Sequence, residues 1–465
     1  HLKASRADLL QPVHPKTDQF ARLVLADDKD AAVIGKRWCG ARTQSDKGDK
    51  LLHVIAMPCQ GRAMKAGNYN AIILGAGGAG LMAALTAGQR GHRVLVIDHA
   101  SGPGKKILIS GGGRCNFTNV HATSQNAQDR YISANPHFAK SALGRYEPQD
   151  FIDLVAAHGI AFHEKTLGQL FCDGSARQIV AMLMDECDKA VAMGGRVDFA
   201  FGLDVRAVSH DGSNFVVAYG NLSASAPRLI VATGGPSIPK MGATGFAYDL
   251  ARQFGLKVVE PRPALVPLTL GGDDVLFREL SGVSAEVIAG AGKSAFREAA
   301  LFTHKGLSGP AILQASSYWS NGDPIQIDFL PDADAAVLLA DAKRANPRAT
   351  LRSTLERHLP ARLAEALAGQ LAMAGNLADQ SDRKLADAGA RLDSWMFHPN
   401  GSEGYAKAEV TRGGVSTDGL SQKTLEAKTV PGLHFIGEAV DVTGWLGGYN
   451  FQWAWASGVA VGQAL

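Results

Sequence analysis

With 465 residues, the chain exceeds what one hydrophobic core usually supports, so two or three domains are expected. Its 47 lysines and arginines barely outnumber its 44 aspartates and glutamates, and a net charge of +3 gives no electrostatic footprint for an anionic membrane or for nucleic acid, so neither partner is expected. The 5 cysteines form no C-x-x-C pair and no cluster at zinc-ligand spacing, which argues against a disulfide framework, a metal site and a two-cysteine redox centre and suits a reducing cytoplasm.

Residues 1–66 mix lysine, arginine and aspartate without a helical stripe. They read as a poorly ordered extension, neither signal nor transit peptide, with Met64 where a native start is expected. At residue 70 the pattern changes. Residues 71–74 are apolar, Gly75, Gly77 and Gly80 follow in G-x-G-x-x-G spacing, and Leu81, Leu85 and Gly88 continue at helical spacing. That is strand, tight turn, helix. Gly75 serves the turn, Gly77 lets backbone approach a pyrophosphate, and Gly80 lets the helix pack on the strand, while free N–H groups at the helix start attract phosphate. A second strand over residues 94–97 ends at Asp98, whose carboxylate suits ribose hydroxyls. Glycine-rich turns alone are common, but strand, helix and acid in βαβ order predict a dinucleotide site, and they mark the apolar run 71–87 as part of that unit and not as a membrane span.

The loop over residues 102–119 concentrates Lys105, Lys106, Ser110, Gly111, Arg114, Cys115 and Asn116, a set suited to surround a pyrophosphate or a flavin ring. A helical pattern with short interruptions covers residues 151–192. Short strands are then expected at 196–201, 205–209, 215–219 and 228–232, ending in the Ala232-Thr233-Gly234 turn. A β-meander in place of a crossover helix points to FAD-binding domains of the glutathione-reductase type, with Val205 passing beside the adenine. Pro261, Pro263 and Pro267 mark a boundary, because proline breaks helices and central strands. Short alternating runs up to residue 330 suggest a small β-domain, and leucine spacing over residues 333–395 predicts three helices, with Asn346-Pro347 and Pro360 at helix starts. The chain then returns to the first domain. Residues 432–438 supply a last strand ending at Gly437-Glu438, and Asp441 and the run 444–448 precede Tyr449-Asn450, which open a final helix. The N-terminus of that helix favours nearby negative charge, such as that on a reduced flavin.

With these pieces in place, the chain resembles the YhiN-type family of bacterial FAD-dependent flavoproteins, which takes in BaiN-like relatives and proteins described as aminoacetone oxidase family. The resemblance rests on GAGGAGLMAA from Gly75, GKKILISGGGRCNFTN from Gly104, LGQLFCDGSARQIV from Leu167, VATGG from Val231, LFTHKGLSGPAILQ from Leu301, VTRGGVSTDGL from Val410 and GLHFIGEAVDVTGWLGGYNFQWAWASG from Gly432. It implies an α/β architecture in which a Rossmann-like FAD-binding domain of the glutathione-reductase type, residues 67–262 and 409–465, is interrupted by a β-barrel-like domain over 263–330 and a helical part over 331–408. It also implies FAD contacts from Gly77, Gly80, Asp98, Lys106, Ser110, Gly111, Arg114, Cys115, Asn116, Val205, Thr233, Gly234, Gly437, Glu438, Asp441, Gly448, Tyr449 and Asn450. The chain departs from the family pattern at Asp98, where glutamate is common, at Gly444-Trp445-Leu446-Gly447-Gly448, where G-P-T-G-G is frequent, and at Gln169 and Cys172, where arginine and proline are frequent.

The expected function is that of an FAD-dependent oxidoreductase exchanging hydride with a small organic substrate held between the FAD domain and the insert. Candidate proton donors or orienting groups are His304, Tyr449 and Arg412, with Trp445 as a pocket wall. NAD(P)H, if it is the electron donor, has no second G-x-G-x-x-G unit of its own. Two alternatives are a tRNA-modifying flavoprotein, which the near-neutral charge disfavours, and a non-catalytic flavin-dependent sensor or scaffold.

Overall fold

The computed structural model describes residues 69–465, so the expectation for residues 1–66 lies outside the described residues. The strand Ala71–Leu74 is apolar at every position because it is covered on both faces. It is the middle strand of a five-stranded parallel sheet ordered Leu433–Phe435, Leu229–Val231, Ala71–Leu74, Arg93–Asp98, Arg196–Phe201. The fingerprint helix Gly78–Gln89 packs against the C-terminal helix Tyr449–Ala464 at glycine contacts. A Cβ on Gly458 would stand 2.6 Å from the Ala79 carbonyl oxygen, and one on Gly462 2.5 Å from the Thr86 Cβ. The Trp455 indole lies against Gly78 and donates to the Phe117 carbonyl at 2.8 Å, tying the last helix to the loop that follows the second strand.

The meander differs in membership from the expectation. Arg196–Phe201 and Leu229–Val231 belong to the parallel sheet, and the meander is Val205–His210, Phe215–Tyr219 and Leu222–Ala226. The prolines also do something other than break a strand. Val258–Ala264, which contains Pro261 and Pro263, pairs antiparallel with Val410–Val415, with a register shift between Val259 and Arg262. In a two-stranded pair the missing N–H of proline can face away from the partner, which is where strands tolerate it. The outgoing and returning chain segments therefore run side by side.

Between them lies a seven-stranded sheet ordered Trp395–Phe397, Ile325–Asp328, Ser284–Ala291, Ser294–Phe302, Gly306–Ser308, Leu268–Thr269, Gly401–Ser402. Its two end strands do not pair with each other, so the sheet is open and the expected barrel is not formed. Four helices, Ala335–Ala345, Leu351–Leu355, Ala361–Gln370 and Asp382–Asp393, accompany it where three were expected. Pro360 is indeed an N-cap, but Asn346 closes the first of these helices and Thr350 caps the next. Leu351, Leu355, Leu359, Leu363, Leu367, Leu371, Leu385 and Leu392 all point into a second core shared with the sheet, separate from the core under the parallel sheet.

Candidate functional site

Three segments far apart in sequence meet at the carboxyl ends of the parallel strands, the usual ligand position in such sheets. Gly75 has φ +102°, and a Cβ there would sit 2.5 Å from the Ala232 carbonyl oxygen, so the fingerprint turn abuts the Ala232-Thr233-Gly234 turn. A Cβ on Gly437 (φ +62°) would come 2.8 Å from that of Ala79, which seats the Gly437-Glu438 turn on the fingerprint helix. Gly80 is the tightest point, because its Cβ would lie 1.9 Å from the Gly75 carbonyl oxygen. Gly77 is the opposite case: its φ is −79°, and a Cβ would meet nothing within 4 Å. No side chain caps the helix at Gly77, and no acidic residue occupies its first turn. The result is an open, electropositive helix start that suits a pyrophosphate.

Around it, Asp98 accepts the Ala76 N–H at 2.6 Å on Oδ2 and the Ala100 N–H at 2.7 Å on Oδ1, which fixes the carboxylate and leaves a lone pair on each oxygen for a ribose hydroxyl. Lys106 donates to Glu438 Oε2 and to Ser237 Oγ, both at 2.6 Å, and Glu438 Oε1 accepts from the Thr411 N–H at 3.0 Å. Thr233 Oγ1 is buried with no protein partner, a hydroxyl left over at the same strand end. Val205 begins its strand half-buried. An open helix start, an anchored carboxylate and an unpartnered hydroxyl together fit FAD.

The second cradle joins residues 102–119 to the C-terminal helix; where a loop was expected, this segment holds the short helix Lys105–Ile109 and the strand Asn116–Asn119, which pairs with Gln169–Cys172. Gly448 (φ +97°) would place a Cβ 2.4 Å from the Thr118 carbonyl and 2.9 Å from Asn116 Oδ1. Asn119 donates to the Gly447 carbonyl at 2.9 Å, and Thr118 donates to Gln452 Oε1 at 2.7 Å. Gly111 lies on Phe171 and beside the Asn116 N–H, with Ser110 donating to the Ile107 carbonyl at 2.7 Å. Arg114 is exposed. Cys115 is buried with φ +53°, and burial pushes its thiol up to about 12. Cys115, Cys172 and Cys187 are free thiols. Asn450 uses its amide to close its own loop, accepting the Gly444 N–H at 2.8 Å and donating to the Gly444 carbonyl at 2.9 Å. Asp441 accepts the Ala134 N–H at 2.8 Å; burial pushes its carboxyl up, against that hydrogen bond and the charge of Arg412.

That loop touches the insert. Trp445 donates to the Tyr318 hydroxyl at 2.7 Å, the Leu446 N–H donates to Gln314 Oε1 at 3.0 Å, and the Phe296 ring meets Trp445 edge-on at 4.8 Å. Arg412 donates to the Ser317 carbonyl at 2.8 Å. Tyr449 is buried between Tyr131 and Trp445. Burial pushes the Tyr449 and Tyr318 phenols up, while the Arg130 charge pulls both down and Arg412 also acts on Tyr318. Of the three proton-donor candidates, Tyr449 and Arg412 therefore stand at this seam. His304 stands in an exposed turn, where only its carbonyl is engaged, by Arg278. Arg130, Gln314, Tyr318 and Phe296 were not singled out in sequence; nothing local marks them, since their neighbours lie more than a hundred residues away.

Fold and cradles define a Rossmann-type, FAD-dependent oxidoreductase. The chain belongs to the family described as HI0933-like protein Rossmann domain, which it matches over residues 69–464. It is 50% identical over 406 residues to a ribosomal RNA dihydrouridine synthase of Escherichia coli, covering 85% of this chain and 98% of that protein. A Haemophilus influenzae protein of the same name is 46% identical over 399 residues, covering 85% and 98%. A 3-dehydro-bile acid delta(4,6)-reductase of Clostridium scindens is 28% identical over 416 residues, covering 84% and 98%. The first two overturn the expectation of no nucleic-acid partner. A net charge of +3 sums the whole chain, including exposed acids of the insert, and says nothing about cations grouped at one seam. Among the described residues no helix is long and apolar enough to cross a membrane.

Proposed function

We propose that the chain reduces uridine in ribosomal RNA to dihydrouridine, with NADPH or NADH as electron donor, and that within its family it falls in the YhiN-type branch its long motifs resemble. The carrying observation is the 50% and 46% identity to two ribosomal RNA dihydrouridine synthases across nearly their whole lengths. Uracil offers a C5=C6 bond conjugated with the C4 carbonyl, so reduction needs a hydride at C6 and a proton at C5. Bound FAD, once reduced by the nicotinamide donor, would supply the hydride. The chain's own residues have the other tasks: Trp445, Tyr449 and Phe296 exclude water from the seam, Arg412 orients the carbonyl side, and the phenol of Tyr449, protonated at neutral pH, is the proton donor.

The test is mass spectrometry of nucleosides from an unmodified ribosomal RNA transcript incubated with purified flavoprotein and NADPH. A gain of two hydrogens on uridine is expected, and unchanged uridine with fully reducible flavin would overturn the proposal. The 28% identity to the bile-acid reductase supports a second reading, reduction of a small conjugated ketone in the same seam. Turnover of such a ketone with no reaction on RNA would select it.

A further inference from the structure

The short helix Ala127–Arg130 and the strand Tyr131–Ile132 bring Arg130 to the seam. Its guanidinium lies 4.2 Å from the centre of the Trp445 ring, and backbone holds the two together: the Trp445 N–H donates to the Arg130 carbonyl at 3.1 Å, and Gly444 pairs with Tyr131. Among the described residues this guanidinium has no carboxylate partner, and its Nε is buried with no acceptor. A buried N–H without an acceptor is a standing cost to the folded chain, and it marks Arg130 as a side chain whose partners the protein does not supply in full. Its place over the ring keeps the charge and leaves the terminal pair of N–H groups without a protein acceptor among the described residues, the end by which arginine takes a phosphate through paired N–H groups. The FAD pyrophosphate is better served elsewhere, by the uncapped helix start at Gly77.

We propose that Arg130, held over Trp445, grips a backbone phosphate of the RNA beside the nucleotide that is reduced. This rests on the reading of the chain as an RNA uridine reductase. Trp445 is then the platform that presents the cation, and the aromatic seam behind it receives the base, in keeping with the stacking by which single-stranded RNA is held.

The experiment measures binding of a fluorescently labelled, single-stranded oligouridylate to the FAD-loaded protein over a range of salt. Arg130→Gln is expected to weaken binding several-fold and to lower the slope of log affinity against log salt by about 0.7, the value for one lost phosphate contact on a single strand. Its FAD content and flavin spectrum stay as in the wild type. Arg130→Lys keeps the slope, because the charge remains, but loses affinity, because an ammonium cannot lie as a planar fork. Arg297→Gln, which removes an exposed arginine already paired with Glu286 and Asp332, leaves both unchanged. Wild-type affinity and slope in Arg130→Gln, or loss of FAD from it, would overturn the proposal; should that variant not fold, wild-type affinity in Arg130→Lys would do so. If wild-type protein makes dihydrouridine while Arg130→Gln binds normally, only the phosphate site is lost. If the slope falls as stated but no dihydrouridine forms, the phosphate site stands and the reaction assignment fails.

Discussion

The nucleotide-binding half and the inserted half both use glycine contacts and apolar cores, but in different places: glycines gather around the cofactor turns in one, while in the other they mark single strand and helix crossings such as Gly306 on Leu268 and Gly389 on Ala336. In the first, backbone meets backbone at glycines: Gly80 against the Gly75 carbonyl, Gly195 with a Cβ position 2.0 Å from the Gly88 carbonyl oxygen, Gly448 against Thr118. In the second, leucines from four helices fill the space behind an open sheet. Around the cofactor turns at Gly75, Gly80 and Gly448 single added atoms are therefore not tolerated, whereas the leucine core of the insert is sensitive to atoms removed. At the seam a third arrangement applies, in which side chains of one half reach the backbone of the other, as Gln314 does to Leu446 and Arg412 to Ser317.

The largest effect expected is at Gly80. Gly80→Val would force side-chain atoms into the Gly75 carbonyl, an overpacking that costs more than about 4 kcal/mol and should leave no soluble folded protein. Gly77→Val is the control, since φ there is ordinary and the space is open. That variant should keep the melting temperature of the apoprotein yet lose its yellow colour, because its side chain fills the approach to the helix start. Retention of full FAD content by Gly77→Val would show that the pyrophosphate lies elsewhere. Next comes the insert: Leu363→Ala, at a fully buried position, should cost about 2 to 5 kcal/mol in calorimetry while FAD content in the native state is unchanged. Loss of flavin from that variant would mean the two halves are one cooperative unit. Smaller again is Gln314→Ala, which removes the acceptor for the Leu446 N–H and should cost about 1 to 3 kcal/mol. Its signature is a raised KM with the flavin spectrum intact, if the seam shapes the substrate and not the cofactor.

The cofactor half was legible in sequence because its tight spots admit glycine alone, and glycine is visible in a sequence: Gly75, Gly80 and Gly437 stand where close approach requires them. The strand of its meander that was not read is Leu222–Ala226, whose alternating serines and alanines carry little strand preference and form a strand only through Phe215–Tyr219. In the insert, Trp395–Phe397 and Gly401–Ser402 are too short for periodicity to show, and their partners Ile325–Asp328 and Leu268–Thr269 lie about seventy residues or more upstream. An open sheet and a closed one also share the same alternation, so the absence of closure could not be read from strand pattern alone. The seam was least legible. Trp445 drew notice as a departure from a family motif, but Arg130 and Tyr318 acquire their meaning only when the returning chain lays Trp445 between them.

The smallest predicted effect separates the halves by the sign of their response to acid. Glu186, in the nucleotide-binding half, is pushed up by burial, but donors from Lys189, His158 and Gln89 outweigh this and hold its carboxyl below the ordinary range. A folded-state pKa below the unfolded one means stability that is present above the unfolded value, about 4.3 for glutamate, and is lost as pH falls through the folded value. Asp393, in the insert, is pushed up by burial and by Asp328 and Asp334, which the Ala335 N–H only partly offsets. Its ionised form is therefore a cost at neutral pH, and that cost disappears as pH falls through the raised pKa. Glu186→Gln should be less stable than wild type at neutral pH and Asp393→Asn more stable, with both differences shrinking toward zero from opposite sides as pH is lowered. Chemical denaturation at a series of pH values measures both. Differences that shrink from the same side would show that burial, and not the donor set around Glu186, governs the carboxylates of both halves.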